Sequence, residues 1–306
     1  MSAIAIVGPT AAGKSAAGIR LAEQIGGEIV SVDSRQVYRG LDIGTAKPGI
    51  DEMRRIPHHC IDILDLTERG NAEWFAGLAR EAIRSIEARS HLPVLVGGSG
   101  FYLRAVIHGL FPVELEASVR RSFAAEIRET PTELLYERLA RIDRESHARI
   151  HPNDRYRIVR ALEVHDLTGT PLSEHFRRQE RVPGNSRGFT IFGLAPPRGS
   201  LRRVIRERTV SMYDAGWPRE VSALLDGGAD PAWPGMQTLG YPDIVAHLGG
   251  LIDREQTIDR IASRTSQYAK RQMTWFRKER IAAWIDPEKE DPVETICKVL
   301  DRGDAT

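Results

Sequence analysis

The 306-residue sequence predicts an α/β fold, a parallel sheet flanked by helices, with a helical insertion domain set into it. Three observations predict it. Short, continuously apolar runs alternate with helical patterns near the N-terminus, as in a parallel sheet buried on both faces. A glycine-bearing loop joins the first of these runs to the first helix. From about Glu114 to Ser173 strand-like runs are absent and charged amphipathic helices dominate.

Taken in order, Ala3–Val7 (AIAIV) reads as a fully buried strand and Gly8–Ser15 as a turn. Ala16–Ile25 places Ala and Leu on one repeating face, with Gly26 and Gly27 as the stop. Glu28–Val32 is a second strand, ending at Asp33. The span 71–89 reads as a helix with Asn71 as its N-cap. Leu92–Val96 is a third buried strand, broken by Gly97 and Gly98. Phe189–Leu194 (FTIFGL) is a fourth, closed by Ala195-Pro196-Pro197, and the rest reads as mostly helical. The domain reading is therefore a core over 1–113 and 186–306 and a helical insertion over 114–185. Trp275 and Phe276, near the end of a long helical stretch, read as core.

Composition narrows the class. There are 43 Lys plus Arg and 42 Asp plus Glu, 41% hydrophobic and 28% charged residues, as in an ordinary globular protein. No apolar run approaches the roughly 20 residues of a membrane span. No basic, apolar and cleavage regions mark a leader, so a cytoplasmic protein is expected. The two cysteines, Cys60 and Cys297, suggest neither a disulfide framework nor a zinc knuckle. His58, His59 and Cys60 have no further close-spaced ligand to complete a metal site.

The first loop, Gly8-Pro9-Thr10-Ala11-Ala12-Gly13-Lys14-Ser15, matches G-x-x-x-x-G-K-[ST] between a buried strand and a helix. This predicts a P-loop NTPase-like core. Backbone N–H groups and the helix N-terminus cradle a di- or triphosphate. Lys14 reaches its outer oxygens, and the Ser15 hydroxyl is placed to ligate Mg²⁺. The loop alone names no reaction, and a small-molecule kinase or an NTPase stays open. Such enzymes normally carry a metal-organising Asp at a strand end. The third strand ends in Gly97-Gly98 instead, leaving Asp33 and Asp65 as the strand-end acids.

Further blocks carry a resemblance. Asp33-Ser34-Arg35-Gln36-Val37-Tyr38-Arg39-Gly40-Leu41-Asp42-Ile43-Gly44-Thr45-Ala46-Lys47-Pro48 follows the second strand. Gly97-Gly98-Ser99-Gly100-Phe101-Tyr102, the segment from His151 to Arg157 (HPNDRYR) and the segment from Tyr268 to Phe276 (YAKRQMTWF) follow in order. With the phosphate loop, these resemble the tRNA dimethylallyltransferases, or tRNA isopentenyltransferases, in their compact bacterial form. The resemblance spans residues 3 to about 285.

It implies transfer of a dimethylallyl group from dimethylallyl diphosphate to N6 of the adenosine 3′-adjacent to the anticodon, with diphosphate leaving. Asp33 falls on the family's base position, where an ionised carboxylate takes the amine proton. Thr10, Lys14, Mg²⁺ and Arg208 fall where charge on the leaving diphosphate is stabilised. The resemblance implies tRNA contacts at Asp33, Ser34, Arg35, Gln36, Ser99, Arg120, Tyr156, Arg157, Ile158, Val159 and Arg160. It implies more at Gln237, Thr238, Leu239, Gly240, Tyr241 and Pro242. Ser99 stands where Thr is usual and Gln237 where Arg is common. The implied partners are the tRNA anticodon stem-loop and dimethylallyl diphosphate, with no membrane, no obligate protein partner and a monomeric state. Transfer to free adenine nucleotides is the near alternative; the insertion and the Arg155–Arg160 bases favour a large RNA.

The net charge of +1 hides segregation. Between Ile261 and Arg280 stand Arg264, Lys270, Arg271, Arg277, Lys278 and Arg280 against Glu279 alone. Acids concentrate in Asp286–Glu294. A single basic face suits one stem-loop, with binding that weakens as salt rises.

Overall fold

Every residue of β1 (Ala3–Val7) is buried, as its unbroken apolar run requires. It lies inside a six-stranded sheet ordered β3-β2-β4-β1-β5-β6 in the computed structural model, which describes residues 3–109, 127–180 and 188–303. β2 (Gly27–Val32), β4 (Leu92–Gly97) and β5 (Phe189–Leu194) are the other runs that read as strands. All pairings are parallel, with Ala5 between Leu95 and Ile191. Two strands are missing from the sequence pattern, β3 (His58–His59) and β6 (Ala283–Ile285). At two and three residues they are too short to show alternation or an apolar run. β6 adds one short strand to a last segment that is otherwise mostly helical, as read.

Helices cover the sheet. α1 (Lys14–Ile25) starts two residues before the expected Ala16, because Gly13 at φ 83° already serves as its cap. It ends on Gly26 in the left-handed region, φ 63°, as the glycine pair predicts. α2 (Ile50–Arg55) is short. α3 (Ala72–Ala88) is capped by Asn71, whose Oδ1 accepts the Glu73 and Trp74 N–H groups at 3.0 and 2.9 Å. It buries Phe75, Ala79, Ile83 and Ile86. α4 (Gly100–His108) is pinned by Arg80, which donates to the Val106 and Ala105 carbonyls at 3.0 and 2.7 Å.

The chain divides into two units, Met1–Ile107 with Arg187–Thr306, and His108–Ser186. In the second, α5 (Thr132–Ile142), α6 (Arg144–Arg149), α7 (Arg155–Thr168) and α8 (Leu172–Glu180) follow one another. Leu135, Leu139, Ile158 and Leu162 give it a hydrophobic core of its own. The buried Asp143 carboxylate accepts the Ser146 N–H, the Ser146 hydroxyl and the Ser173 N–H at 2.9, 2.7 and 2.9 Å, fastening α6 and α8. In the first unit, α9 (Arg198–Asp214) packs along α12 (Arg254–Phe276). α10 (Trp217–Asp226) packs on α11 (Tyr241–Leu248), and α13 (Pro292–Asp301) lies against α1. Phe276 is fully buried. Trp275 is half-buried, with its ring edge-on to Phe101 at 6.2 Å.

The start of β2, at the opposite end of the sheet from the phosphate loop, holds a buried carboxylate. Glu28 accepts from Arg89 Nη2 at 2.7 Å and bonds the rings of His59 and His91, each at 2.7 Å. Burial alone raises its pKa. The hydrogen bonds from Arg89, His59 and His91 outweigh burial and hold it down at about 2. Because the folded value lies below the unfolded one, the stabilisation is present above the ordinary carboxylate range and is lost as pH falls toward 2. The melting temperatures of wild type and Glu28→Gln are therefore expected to differ most at neutral pH and to converge in acid. A gap independent of pH between 7 and 3 contradicts this account.

Candidate active site

In a parallel sheet the carboxyl ends of the strands share one edge, where open α/β folds bind ligands. β1 runs into the phosphate loop there. Gly8 has φ 145°, and a Cβ on it would stand 2.5 Å from the Leu194 carbonyl oxygen, so only glycine fits. Ala11 is held in the left-handed region at φ 63°. Lys14 opens α1 and donates to the Pro9 carbonyl at 2.6 Å. Burial pulls its pKa down to about 8, against the opposing charge of Asp33 and with the like charge of Arg208. Arg208, on α9, is also lowered by burial, with Asp33 pulling the other way. The three charged side chains thus feel one another across one site.

Asp33 ends β2. Its Oδ1 accepts the Arg35 N–H at 2.8 Å, turning the chain. Ser34 N–H donates to the Ser99 hydroxyl oxygen at 3.0 Å, so Ser99 meets the Asp33–Gln36 segment through its backbone. Gln36 accepts from the Ser31 hydroxyl at 2.8 Å and donates to the Thr45 and Ala46 carbonyls at 3.3 and 3.1 Å. These bonds place it as an internal brace for the loop.

One cavity of about 490 Å³ is lined by Thr10, Ala11, Gly13, Lys14, Ser15, Asp33, Arg35, Gln36, Arg208, Thr238 and Leu239. Gly8, Pro9 and Ala12 support it from the phosphate loop without lining it. Two buried polar atoms of lining residues, Trp217 Nε1 and Thr238 Oγ1, have no hydrogen-bond partner among the described residues. Asp65, the other strand-end acid, lies outside the lining and pairs with Arg39 at 2.7 Å on the surface.

Several expected RNA contacts need correction. Ile158 has no exposed surface and belongs to the second unit's core, because it falls on the inward face of α7. Tyr241 is likewise fully buried: its ring packs against Trp217 and its hydroxyl donates to Glu220 at 2.7 Å. Gly240 is buried, and a Cβ there would meet the Trp217 ring at 2.2 Å. Pro242 stands in the first turn of α11, and Gln237 is exposed but donates to the Pro231 carbonyl at 2.7 Å. The bases at 155–160 are partly committed. Arg155 donates to the Thr130 and Ile127 carbonyls at 2.8 and 2.5 Å, Arg157 pairs with Asp154 at 3.4 Å, and Arg160 pairs with Glu163 at 2.6 Å. Tyr156 is 82% exposed and Val159 half-buried. Arg264 pairs with the buried Asp243 at 2.8 Å, which removes one cation from the 261–280 face. Arg120 lies outside the described residues.

Four supporting residues have no role in the sequence reading. Glu220 accepts the Asp42 and Ile43 N–H groups at 3.0 and 2.7 Å, clamping the segment after Asp33. Lys47, with only 4% of its side chain exposed, donates to the Tyr38 carbonyl at 3.0 Å and to Asp42 and Asp62, each at 2.5 Å. Tyr268 and Gln272 line the cavity from α12. Only their place in the quoted sequence blocks marked Lys47, Tyr268 and Gln272, and nothing in the sequence marked Glu220.

The chain is similar to known proteins over most of its length. A family model described as IPP transferase matches residues 36–279. The tRNA dimethylallyltransferase of Halorhodospira halophila is 48% identical over 277 residues, 90% of this chain and 89% of that protein. That of Desulforudis audaxviator is 43% identical over 287 residues, covering 94% and 92%. Among solved structures, a tRNA isopentenylpyrophosphate transferase from Bacillus halodurans is 35% identical with a TM-score of 0.71, over 99% of this chain and 96% of that one. A eukaryotic dimethylallyltransferase acting on tRNA is 27% identical with a TM-score of 0.80, over 97% and 77%.

Proposed function

The chain belongs to the IPP transferase family, and on that premise we propose that it transfers a dimethylallyl group from dimethylallyl diphosphate to tRNA. The acceptor is N6 of the adenosine 3′-adjacent to the anticodon. The observation that carries the reading is the single cavity lined by Thr10, Lys14, Ser15 and Arg208 together with Asp33. A cation-lined diphosphate pocket and a carboxylate share it, as a substitution at the allylic carbon needs. The N6–C1 bond forms and the C1–O bond breaks. Diphosphate leaves with the bonding pair, and Asp33 takes the amine proton. Lys14, Arg208 and the loop N–H groups stabilise the charge gathering on the leaving group.

The donor set fits Mg²⁺. Ser15 lines the cavity at the first turn of α1, and Mg²⁺ is usually bound by few protein ligands together with phosphate oxygens and waters. When bound, Mg²⁺ neutralises part of the diphosphate charge. The target base has to leave its stack to reach Asp33. The family resemblance supports the anticodon stem-loop as the RNA, a monomer with no obligate protein partner, and a cytoplasmic location. No described helix is long and apolar enough to cross a membrane.

The test is to incubate the protein with labelled dimethylallyl diphosphate, Mg²⁺ and an anticodon stem-loop carrying that adenosine. Label is expected in the RNA, with diphosphate released only when both substrates are present. A folded protein that leaves the RNA unlabelled sinks the reading. ATP turnover stimulated by a small hydroxyl compound supports the kinase alternative, and labelling of AMP in preference to RNA supports the nucleotide alternative.

A further inference from the structure

We propose that Gln272 is a positioning residue of this reaction: its buried side-chain amide joins the phosphate loop to the turn after β4 and so sets the diphosphate in place relative to Asp33. The inference rests on the reading above.

Gln272 sits on α12, 262 positions from Thr10 in the chain, and is 6% exposed. Its Oε1 accepts the Thr10 N–H at 2.8 Å, and its Nε2 donates to the Gly98 carbonyl at 2.9 Å. A backbone N–H can only donate and a carbonyl can only accept, so these partners fix the amide in one orientation. The Thr10 N–H is thereby committed to the protein, which leaves the hydroxyl as the Thr10 group offered to a diphosphate.

The other end of the bridge leads to Asp33. A Cβ on Gly98 would stand 2.2 Å from Gln272 Nε2, so the bare backbone there is what admits the amide. A Cβ on Gly97 would stand 2.0 Å from the carbonyl oxygen of Val32, the residue before Asp33. Ser99 donates its N–H to that same carbonyl at 3.3 Å, and its hydroxyl oxygen accepts the Ser34 N–H at 3.0 Å. Contacts therefore run from Thr10 through Gln272 and the Gly98–Ser99 turn to the residues on both sides of Asp33. The leaving-group pocket and the base sit on different strands, and this bridge ties them. Misplacing reacting groups by about 1 Å costs on the order of a hundredfold in rate.

Wild type, Gln272→Ala, Gln272→Glu and Gly98→Ala are compared with labelled dimethylallyl diphosphate and the stem-loop RNA. The readouts are kcat, KM for each substrate, melting temperature and the affinity for inorganic diphosphate with Mg²⁺. In Gln272→Ala, kcat is expected to fall about a hundredfold with KM for RNA nearly unchanged, and diphosphate to bind more weakly. Gln272→Glu keeps the acceptor for Thr10 but sets an oxygen against the Gly98 carbonyl, and loses at least about tenfold in kcat. Gly98→Ala pushes the amide aside while the glutamine itself is kept, and is expected to follow Gln272→Ala.

A glutamine that serves only folding lowers the melting temperature and leaves kcat per folded molecule at the wild-type value; that result overturns the proposal. If Gln272→Ala does not fold, Gln272→Glu and Gly98→Ala decide, and wild-type kcat in both rejects it. If wild type labels no RNA, the transferase reading fails by itself. Diphosphate affinity then decides the role of Gln272, and wild-type affinity in every folded variant rejects it.

Discussion

Replacing Asp33 with Ala or Asn is expected to lower transfer by about 10²–10⁴-fold, the range a positioned general base contributes. RNA binding should change little. The Asn variant is the sharper one. It keeps the size of the side chain and an oxygen that can accept the Arg35 N–H, the 2.8 Å bond that shapes the turn. It cannot take a proton. Single-turnover labelling together with a filter-binding affinity for the stem-loop separates the two effects. If the Asn variant turns over near the wild-type rate, Asp33 serves the turn and another group is the base. A parallel loss of RNA affinity instead assigns it to binding.

Donor affinity is expected to fall as pH rises through about 8, because of Lys14. Burial disfavours its charged form and brings the pKa of the unloaded protein down to about 8. The donor's phosphate oxygens favour the ammonium, so binding raises that pKa. The terminal phosphate loses its last proton near pH 6, well below this window. Below 8 the lysine is already charged. Above 8 it must gain a proton on binding, which weakens apparent affinity by up to about tenfold per pH unit. Titrating dimethylallyl diphosphate with Mg²⁺ between pH 7 and 9.5 measures this. Lys14→Ala is expected to bind weakly at every pH and to remove the step. A flat wild-type profile contradicts the role of Lys14 as the charged phosphate ligand.

Much of the site was legible because its signals are local. A strand, a loop with glycines at fixed offsets and a helix start lie within 13 consecutive residues, Ala3–Ser15, so residue type and order in that stretch are enough to mark them. Gly8 and Gly13 are required by positive φ at the two ends of the loop, a property visible from residue type alone. Strand ends marked Asp33 and Asp65 alike, and the family resemblance chose Asp33 between them. The Asn71 cap and the Gly26 stop are local too, set by one side chain or one dihedral. The two short edge strands were not legible, since two or three residues carry no period.

Side-chain direction was less readable. The run 156–160 matches a motif as a string, but α7 turns Ile158 inward while Tyr156 stays exposed. The run 237–242 splits likewise: Thr238 and Leu239 line the cavity while Tyr241 is enclosed with Trp217 and Glu220. Charge counts also overstated the basic face. Arg155 is committed to backbone carbonyls and Arg264 to Asp243, partners that helix packing supplies.

By itself, then, the sequence determined the phosphate loop and the four longer strands. Each depends on backbone conformation and burial over a few neighbouring residues. The tertiary structure alone decided that Gln272 holds Thr10 to Gly98, and it lines one cavity with Lys14 and Arg208, which only the family resemblance had joined. It also decided that Glu220 clamps Asp42 and Ile43. The physical reason is one of range: a hydrogen bond or a Coulomb contact acts over a few ångströms, and only packing of distant helices onto one sheet edge brings those groups that close.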